Sequence, residues 1–312
     1  MLKTIRDGTQ DDAFEKALFA IENDRENVLG AMDNYLRFFT RNLERFRIRE
    51  FEGHIDDAIV ETLDAFLPMR DQCIRLLVAA ARYDPNVRWI VTVHRFIERL
   101  IHYTNPPHNQ RKRIEYGLDN FSFILHELFL YAIAILLKFE RLEHAAYMLS
   151  NKYYVTQGLD HGFLSAFDDI HKHMGSLVQR NERLGLGLEA LRASMLRERC
   201  VGTEVTLNDL MQADFTIFLR AELRNFPEYS RWWPELLMFL REVGGSFEMY
   251  VRAGTKSYFD QLRLVVGINE AKDLQQLIDS YKDETRKAPR GMQPRTIAKL
   301  VGYEFLLSTT TS

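Results

Sequence analysis

Apolar residues recur along most of this chain at intervals of three and four, the spacing of one helix face. Between Asp11 and Arg47 they fall at Phe14, Leu18, Ile21, Val28, Met32, Tyr35, Leu36, Phe39 and Leu43, and Asp11-Asp12 offer a cap and a first-turn acid. A second run, from about Ile55 to Tyr83, turns Ile59, Leu63, Phe66, Ile74, Leu77 and Val78 inward. Pro68 lies inside it; lacking an amide hydrogen, it is expected to kink or split the helix. Asp84-Pro85 puts proline at a first helical position, where the missing N–H is no loss, and opens a third helix with Val87, Ile90, Val91, His94, Ile97 and Ile101 inward. The pattern then breaks. Thr104–Gly117, with Asn105-Pro106-Pro107 and Arg111-Lys112-Arg113, reads as an exposed loop and a domain boundary.

Phe121–Leu137 is the most apolar stretch, yet it carries His126 and Glu127 and is slightly short for a membrane span, so it predicts a fully buried central helix. A short turn then leads to Leu142–Leu149, where Ala145 and Ala146 permit close approach of a second helix. This hairpin is like one repeat of a tetratricopeptide solenoid, but no second copy follows at a spacing of about 34 residues. Helical periodicity returns over 164–183, 186–199, 207–223, 233–243, 247–266 and 272–282. Thr206 and Asp209 approach a capping box, and Gly244-Gly245 mark a helix stop. Tyr153-Tyr154-Val155-Thr156 is the best strand candidate, short and isolated; 286–291 reads as loop and 308–312 as a frayed end. The predicted architecture is all-α: an irregular multi-helix bundle around a central buried helical hairpin. Its parts are an N-terminal helical subdomain (1–104), a helical core subdomain (118–285) and a C-terminal tail (286–312).

Composition narrows the function classes. The 312 residues are 46% hydrophobic and 27% charged, an ordinary globular balance, and 21 Phe with 13 Tyr suit the gaps between crossing helices. A net charge of −3 disfavours a broad nucleic-acid footprint. Cys73 and Cys200 are too few for a disulfide framework, and Met1–Gly8 lacks the apolar run of a signal peptide, so reduced thiols and a cytoplasmic location are expected, with no membrane partner.

Candidate chemistry is sparse. His171 and His173 point about 200° apart on a helix and cannot share one ion. His126-Glu127 is followed by Leu130 where a zinc-protease helix needs histidine, and Glu140, Glu143 and His144 miss the di-iron spacing. No metal and no cofactor is expected. Gly254-Thr255-Lys256-Ser257 resembles the end of a phosphate loop without its upstream glycine. Arg49 and His54, and Arg95 and His102, match the Arg-then-His spacing of HEPN ribonucleases, in which Arg would stabilise a phosphorane and His move protons. Arg95 and His102 are two turns apart, about 10 Å along one helix face. The cations of Arg111-Lys112-Arg113 could touch phosphate, although Glu115 and Asp119 nearby favour a solvated loop. Asp214 sits among apolar neighbours and needs a partner if buried, with Arg220, Arg224 and Arg231 as candidates. Arg231-Trp232-Trp233 is the kind of cluster that anchors interfaces, or else a structural corner.

Leu118-Asp119-Asn120-Phe121-Ser122-Phe123 through His126-Glu127-Leu128-Phe129-Leu130-Tyr131 resembles a helical family of bacterial proteins of unassigned function. So does Leu210-Met211-Gln212-Ala213-Asp214-Phe215 through Arg231-Trp232-Trp233-Pro234-Glu235, and the resemblance spans residues 12–290. In that family the region is often joined to an N-terminal Toll/interleukin-receptor-like or SEFIR-like domain, whereas here helix is expected from about Asp11. The resemblance supplies no catalytic residues. It implies a protein-interaction or sensing module in a bacterial anti-phage or stress-signalling system. The expected working surface is Arg231, Trp232 and Trp233, with Arg111, Lys112 and Arg113 second, for a protein partner or self-association; nucleic acid is not favoured. The alternative is a HEPN-like ribonuclease using Arg95 and His102, and a weaker one is a small-molecule-binding bundle.

Overall fold

The computed structural model describes residues 8–83, 88–106, 114–155, 162–225, 232–243, 246–286, 288 and 293–302. The chain is a largely helical, irregular multi-helix bundle. Helices α1 (Gly8–Glu22) and α2 (Val28–Asn42) pack on each other, and a 3-10 turn at Leu43–Phe46 leads towards α3 (Ile55–Tyr83). Helices α4 (Arg88–Tyr103), α5 (Asp119–Lys138) and α6 (Leu142–Ser150) follow, then strands β1 (Tyr153–Val155) and β2 (Phe163–Ser165) and a 3-10 turn at Phe167–Ile170. Helices α7 (Gly175–Arg183), α8 (Leu191–Arg199) and α9 (Leu207–Asn225) come next. A 3-10 turn, Glu235–Phe239, runs into α10 (Leu240–Val243), and α11 (Glu248–Arg252), α12 (Lys256–Val266), α13 (Ala271–Lys282) and α14 (Pro294–Leu300) complete the order.

The centre is α5. Every residue from Asp119 to Leu137 is buried, against α3, α4, α6 and α9. Its length and composition would let it cross a membrane, and its most apolar window is wholly covered by the surrounding helices. Each fully buried Leu, Ile or Phe contributes about 2 kcal/mol of transfer free energy, so α5 organises the core by burying on all sides. The hairpin to α6 closes at Glu140, whose backbone takes a φ of 54°. Arg141 Nε donates to Ala81 O at 2.7 Å, fixing that corner to the end of α3. Contacts also join the two sides of the segment expected to be a boundary: Asn120 Nδ2 donates to Phe46 O at 2.7 Å.

Several elements differ from the periodic reading, each for a local reason. The pattern from Asp11 to Arg47 is two helices, because Asn23-Asp24-Arg25-Glu26-Asn27 has nothing apolar to bury and Asp24 turns the chain at φ 48°. Pro68 does not split α3, which is helical throughout; buried Phe66, Met69, Arg70 and Cys73 on either side hold the segment in register. The strand is not isolated. Tyr153–Val155 pairs antiparallel with Phe163–Ser165, a stretch whose spacing suggested the start of a helix. Ala253-Gly254-Thr255 divides 247–266 into α11 and α12, and α14 in the tail buries Ile297 and Leu300. The capping box at α9 is present: Asp209 N–H donates to Thr206 Oγ1 at 3.2 Å, and Thr206 N–H to Asp209 Oδ2 at 2.8 Å. Gly244 and Gly245 lie outside the described residues.

Candidate functional site

Asp214 is 2% exposed on α9 and Trp232 is 1% exposed. Asp214 finds its partner in neither Arg220 nor Arg224. Trp232 Nε1–H donates to Oδ1 at 2.7 Å and the Leu236 amide to Oδ2 at 3.0 Å. Arg224 Nη1 instead donates to Asp168 at 2.7 Å, and Arg220 to Leu264 O and Ser150 Oγ. Burial pushes the Asp214 carboxyl up to about 7, with its two neutral donors pulling the other way.

Trp232 therefore occupies the structural corner, sealed inside an aromatic stack. His126 lies over it with ring centroids 5.0 Å apart and planes at 20°, and His171 sits 5.3 Å from both. Burial, then the nearby Arg192 charge, holds both imidazoles well below their ordinary pKa. The neutral form suits the contact at His171: Arg192 Nη2 lies 2.5 Å from Nε2, and a guanidinium can only donate. Arg192 also forks onto Glu235 at 2.8 and 2.6 Å. This lattice links α5, the segment before α7, α8, α9 and the Glu235 turn. Trp233 is 40% exposed, and Arg231 lies outside the described residues.

A second buried lattice centres on Glu127, 0% exposed. Arg199 donates to it through Nε at 2.8 Å and Nη2 at 3.0 Å, and Arg70 through Nη1 at 3.2 Å. The remaining donors are used: Arg70 reaches Arg199 O and Asp71, and Arg199 reaches Leu63 O. The triad clamps α3, α5 and α8 together. Both cysteines are buried free thiols, and burial pushes Cys73 up.

The remaining described candidates, His171 apart, lie outside both buried lattices. Arg95 and His102 are exposed on α4, and so are Arg49 and His54 before α3. Among the described residues no three His, Cys, Asp or Glu side chains gather as a metal site. His171 and His173 flank Lys172 in extended chain, not on a helix, and His161 is outside the described residues. Arg111, Lys112 and Arg113 are outside them too, but Pro106 and Ile114, at either end of that segment, line one cleft with Arg47, Asp119, Lys172 and His173.

One ordered surface feature has no counterpart in the periodic reading, which ended a helix at Arg183 and began the next at Leu186, five residues before α8 starts. Leu184, Leu186 and Leu188 are 44, 42 and 37% exposed in the turn between α7 and α8. Gly185 and Gly187 adopt φ of 58° and 63°, which directs the leucines outward. Asn181 staples the turn: Nδ2 donates to Leu188 O at 2.7 Å and Oδ1 accepts the Leu188 amide at 3.1 Å. Arg180 and Arg183 pair with Asp56 and Asp57 and so anchor the end of α7 to the start of α3. The legible signal was the alternation Leu-Gly-Leu-Gly-Leu, since two close glycines weaken a helix. No family model matches the chain, and no curated protein and no solved structure matches it either.

Proposed function

We propose that this chain is a non-catalytic helical interaction and regulatory module that works through a protein partner or a second copy of itself. The observation that carries the reading is the stapled turn: three outward leucines held in one conformation. A folded chain rarely keeps large apolar side chains clustered in water unless something else covers them, and a preformed turn lowers the ordering cost of being covered. The buried carboxylates support the same reading from the other direction, since Asp214 and Glu127 are held by internal hydrogen bonds. A role in bacterial anti-phage or stress signalling rests on the resemblance of residues 118–131 and 210–235 and on nothing else.

The test compares the parent with Leu184→Asp/Leu186→Asp/Leu188→Asp. Sedimentation velocity and affinity capture from the source cells should show an assembly, or a specific bound protein, that the triple variant loses while its circular dichroism is unchanged. An identical interaction profile for both proteins contradicts the reading. So does cleavage of RNA that disappears in His102→Ala, which would make Arg95 and His102 catalytic.

A further inference from the structure

Two glutamates bracket the outward leucines at 184, 186 and 188. Glu182 stands just before the turn and Glu189 directly after it, and both side chains are exposed. Neither pairs with a cation among the described residues. The cations close by are committed elsewhere. Arg180 and Arg183 each bridge Asp56 and Asp57, at 2.5 to 3.3 Å, so those four charges sum to zero. Arg192 forks onto Glu235, Arg197 lies over the Phe239 ring at 4.9 Å, and Arg199 is held by Glu127 inside the core. These are all the arginines of α7 and α8, and the chain has no lysine between Lys172 and Lys256.

Helix α3 adds to the imbalance. Glu61 is exposed one helical turn beyond Asp57, the residue that Arg180 and Arg183 grip, and it too has no cation among the described residues. The turn is thus an apolar knob in a negative setting, and the setting decides what covers it. A second copy docking through the same patch would make an isologous contact, with glutamates facing their own equivalents. Like charges in such a contact repel. An anionic lipid surface is repelled for the same reason. A segment that carries both apolar side chains and Lys or Arg matches the leucines and the carboxylates together.

We infer, on the reading of this turn as the working surface, that its partner is a basic amphipathic segment of another protein. Its apolar residues seat on Leu184, Leu186 and Leu188, and its cations meet Glu182 and Glu189, with Glu61 next along. The leucines supply the contact area, and the glutamates select the partner and set its register.

Fluorescence anisotropy of the full chain with two labelled helical peptides of about 18 residues tests it. Both peptides carry leucine along one face; the opposite face is lysine in one and glutamate in the other. The lysine peptide should bind saturably and the glutamate peptide should not. Glu182→Lys/Glu189→Lys, with the leucines intact, should weaken the lysine peptide about tenfold or more, and Glu182→Gln/Glu189→Gln several-fold. Leu184→Ser/Leu186→Ser/Leu188→Ser, with the charges intact, should weaken it about tenfold or more as well. All these side chains are exposed, so circular dichroism should match the parent throughout.

The two sets of variants separate the partner from the surface. Loss in the serine variant, with both glutamate variants within about twofold of the parent, overturns the basic partner and leaves the turn as the working surface. A concentration-dependent dimer in sedimentation velocity that the serine variant loses has the same meaning. Unchanged binding in the serine variant contradicts the turn as the working surface, and the basic partner with it. Absence of saturable binding by the lysine peptide, or equal binding of both peptides, overturns the inference.

Discussion

Glu127 and Asp214 are both carboxylates buried on long central helices, and their surroundings differ in kind. Glu127 meets two guanidinium groups, whereas Asp214 meets an indole N–H and a backbone amide. The first is an ion triad, in which each charge compensates a neighbour's desolvation. The second has hydrogen bonds but no adjacent counter-charge, so burial governs it and lifts its pKa to about 7. Equal depth thus produces a fixed clamp in one place and a protonation point in the other.

The largest effect should come from breaking the clamp. Glu127→Gln leaves Arg70 and Arg199 buried with a neutral acceptor and should cost about 3–5 kcal/mol, read as a drop in the urea midpoint. A loss under about 1 kcal/mol would mean that the arginines escape to solvent and that the triad is not a clamp.

Asp214 should act through pH. Its folded pKa, about 7, exceeds the ordinary 3.8, so between those values the native state keeps a proton that the unfolded chain releases. Its contribution is therefore fully present below about pH 4 and is lost as pH rises to about 7, by at most about 4 kcal/mol. His126 and His171 act in the opposite sense: their depressed pKa values favour the native state above about pH 6.5 and are lost on acidification. The difference between Asp214→Asn and the parent isolates the carboxyl. Stability curves from pH 4 to pH 7.5 should be flatter in this sense for the variant, and parallel curves would remove the contrast with Glu127.

Trp232→Phe should cost less, about 2–3 kcal/mol, since it keeps an aromatic ring on His126 but deletes the N–H to Asp214 and part of the buried indole. Thermal unfolding measures it; a loss larger than that of Glu127→Gln would show that the indole, not the ion triad, is the stronger tie in the core. At the small end, Leu186→Asp should change stability by no more than about 0.5 kcal/mol, because the side chain already lies in water.

The helical bundle and its buried α5 were legible because both depend on periodicity and on the length of an apolar run, which are local properties. So was the need of Asp214 for a partner, although the partner was not. Three arginines were candidates, and a tryptophan filled the role, because the pairing spans 18 residues and no local spacing rule covers it. Glu127 could be suspected inside an apolar helix, but Arg70 and Arg199 lie 57 and 72 residues away, and no spacing rule reaches that far. The leucine turn was obscured for a different reason: leucine at alternate positions beside a helical segment satisfies a helix template unless Gly185 and Gly187 are weighed as backbone residues. The cleft could not be read at all, since Arg47, Asp119 and Lys172 meet only through the packing of four separated segments.

The two carboxylate networks face inward and the leucines of the turn at 184–188 face outward, so the contact made at position 186 tests the functional account most directly. A photoreactive residue placed there in the source cells should give one discrete crosslinked species, either a partner or a second copy of the chain. The same residue at exposed Leu264, on α12, should not give it, and Leu184→Asp/Leu188→Asp should abolish it. No adduct at position 186, or the same adducts at both positions, would contradict the account.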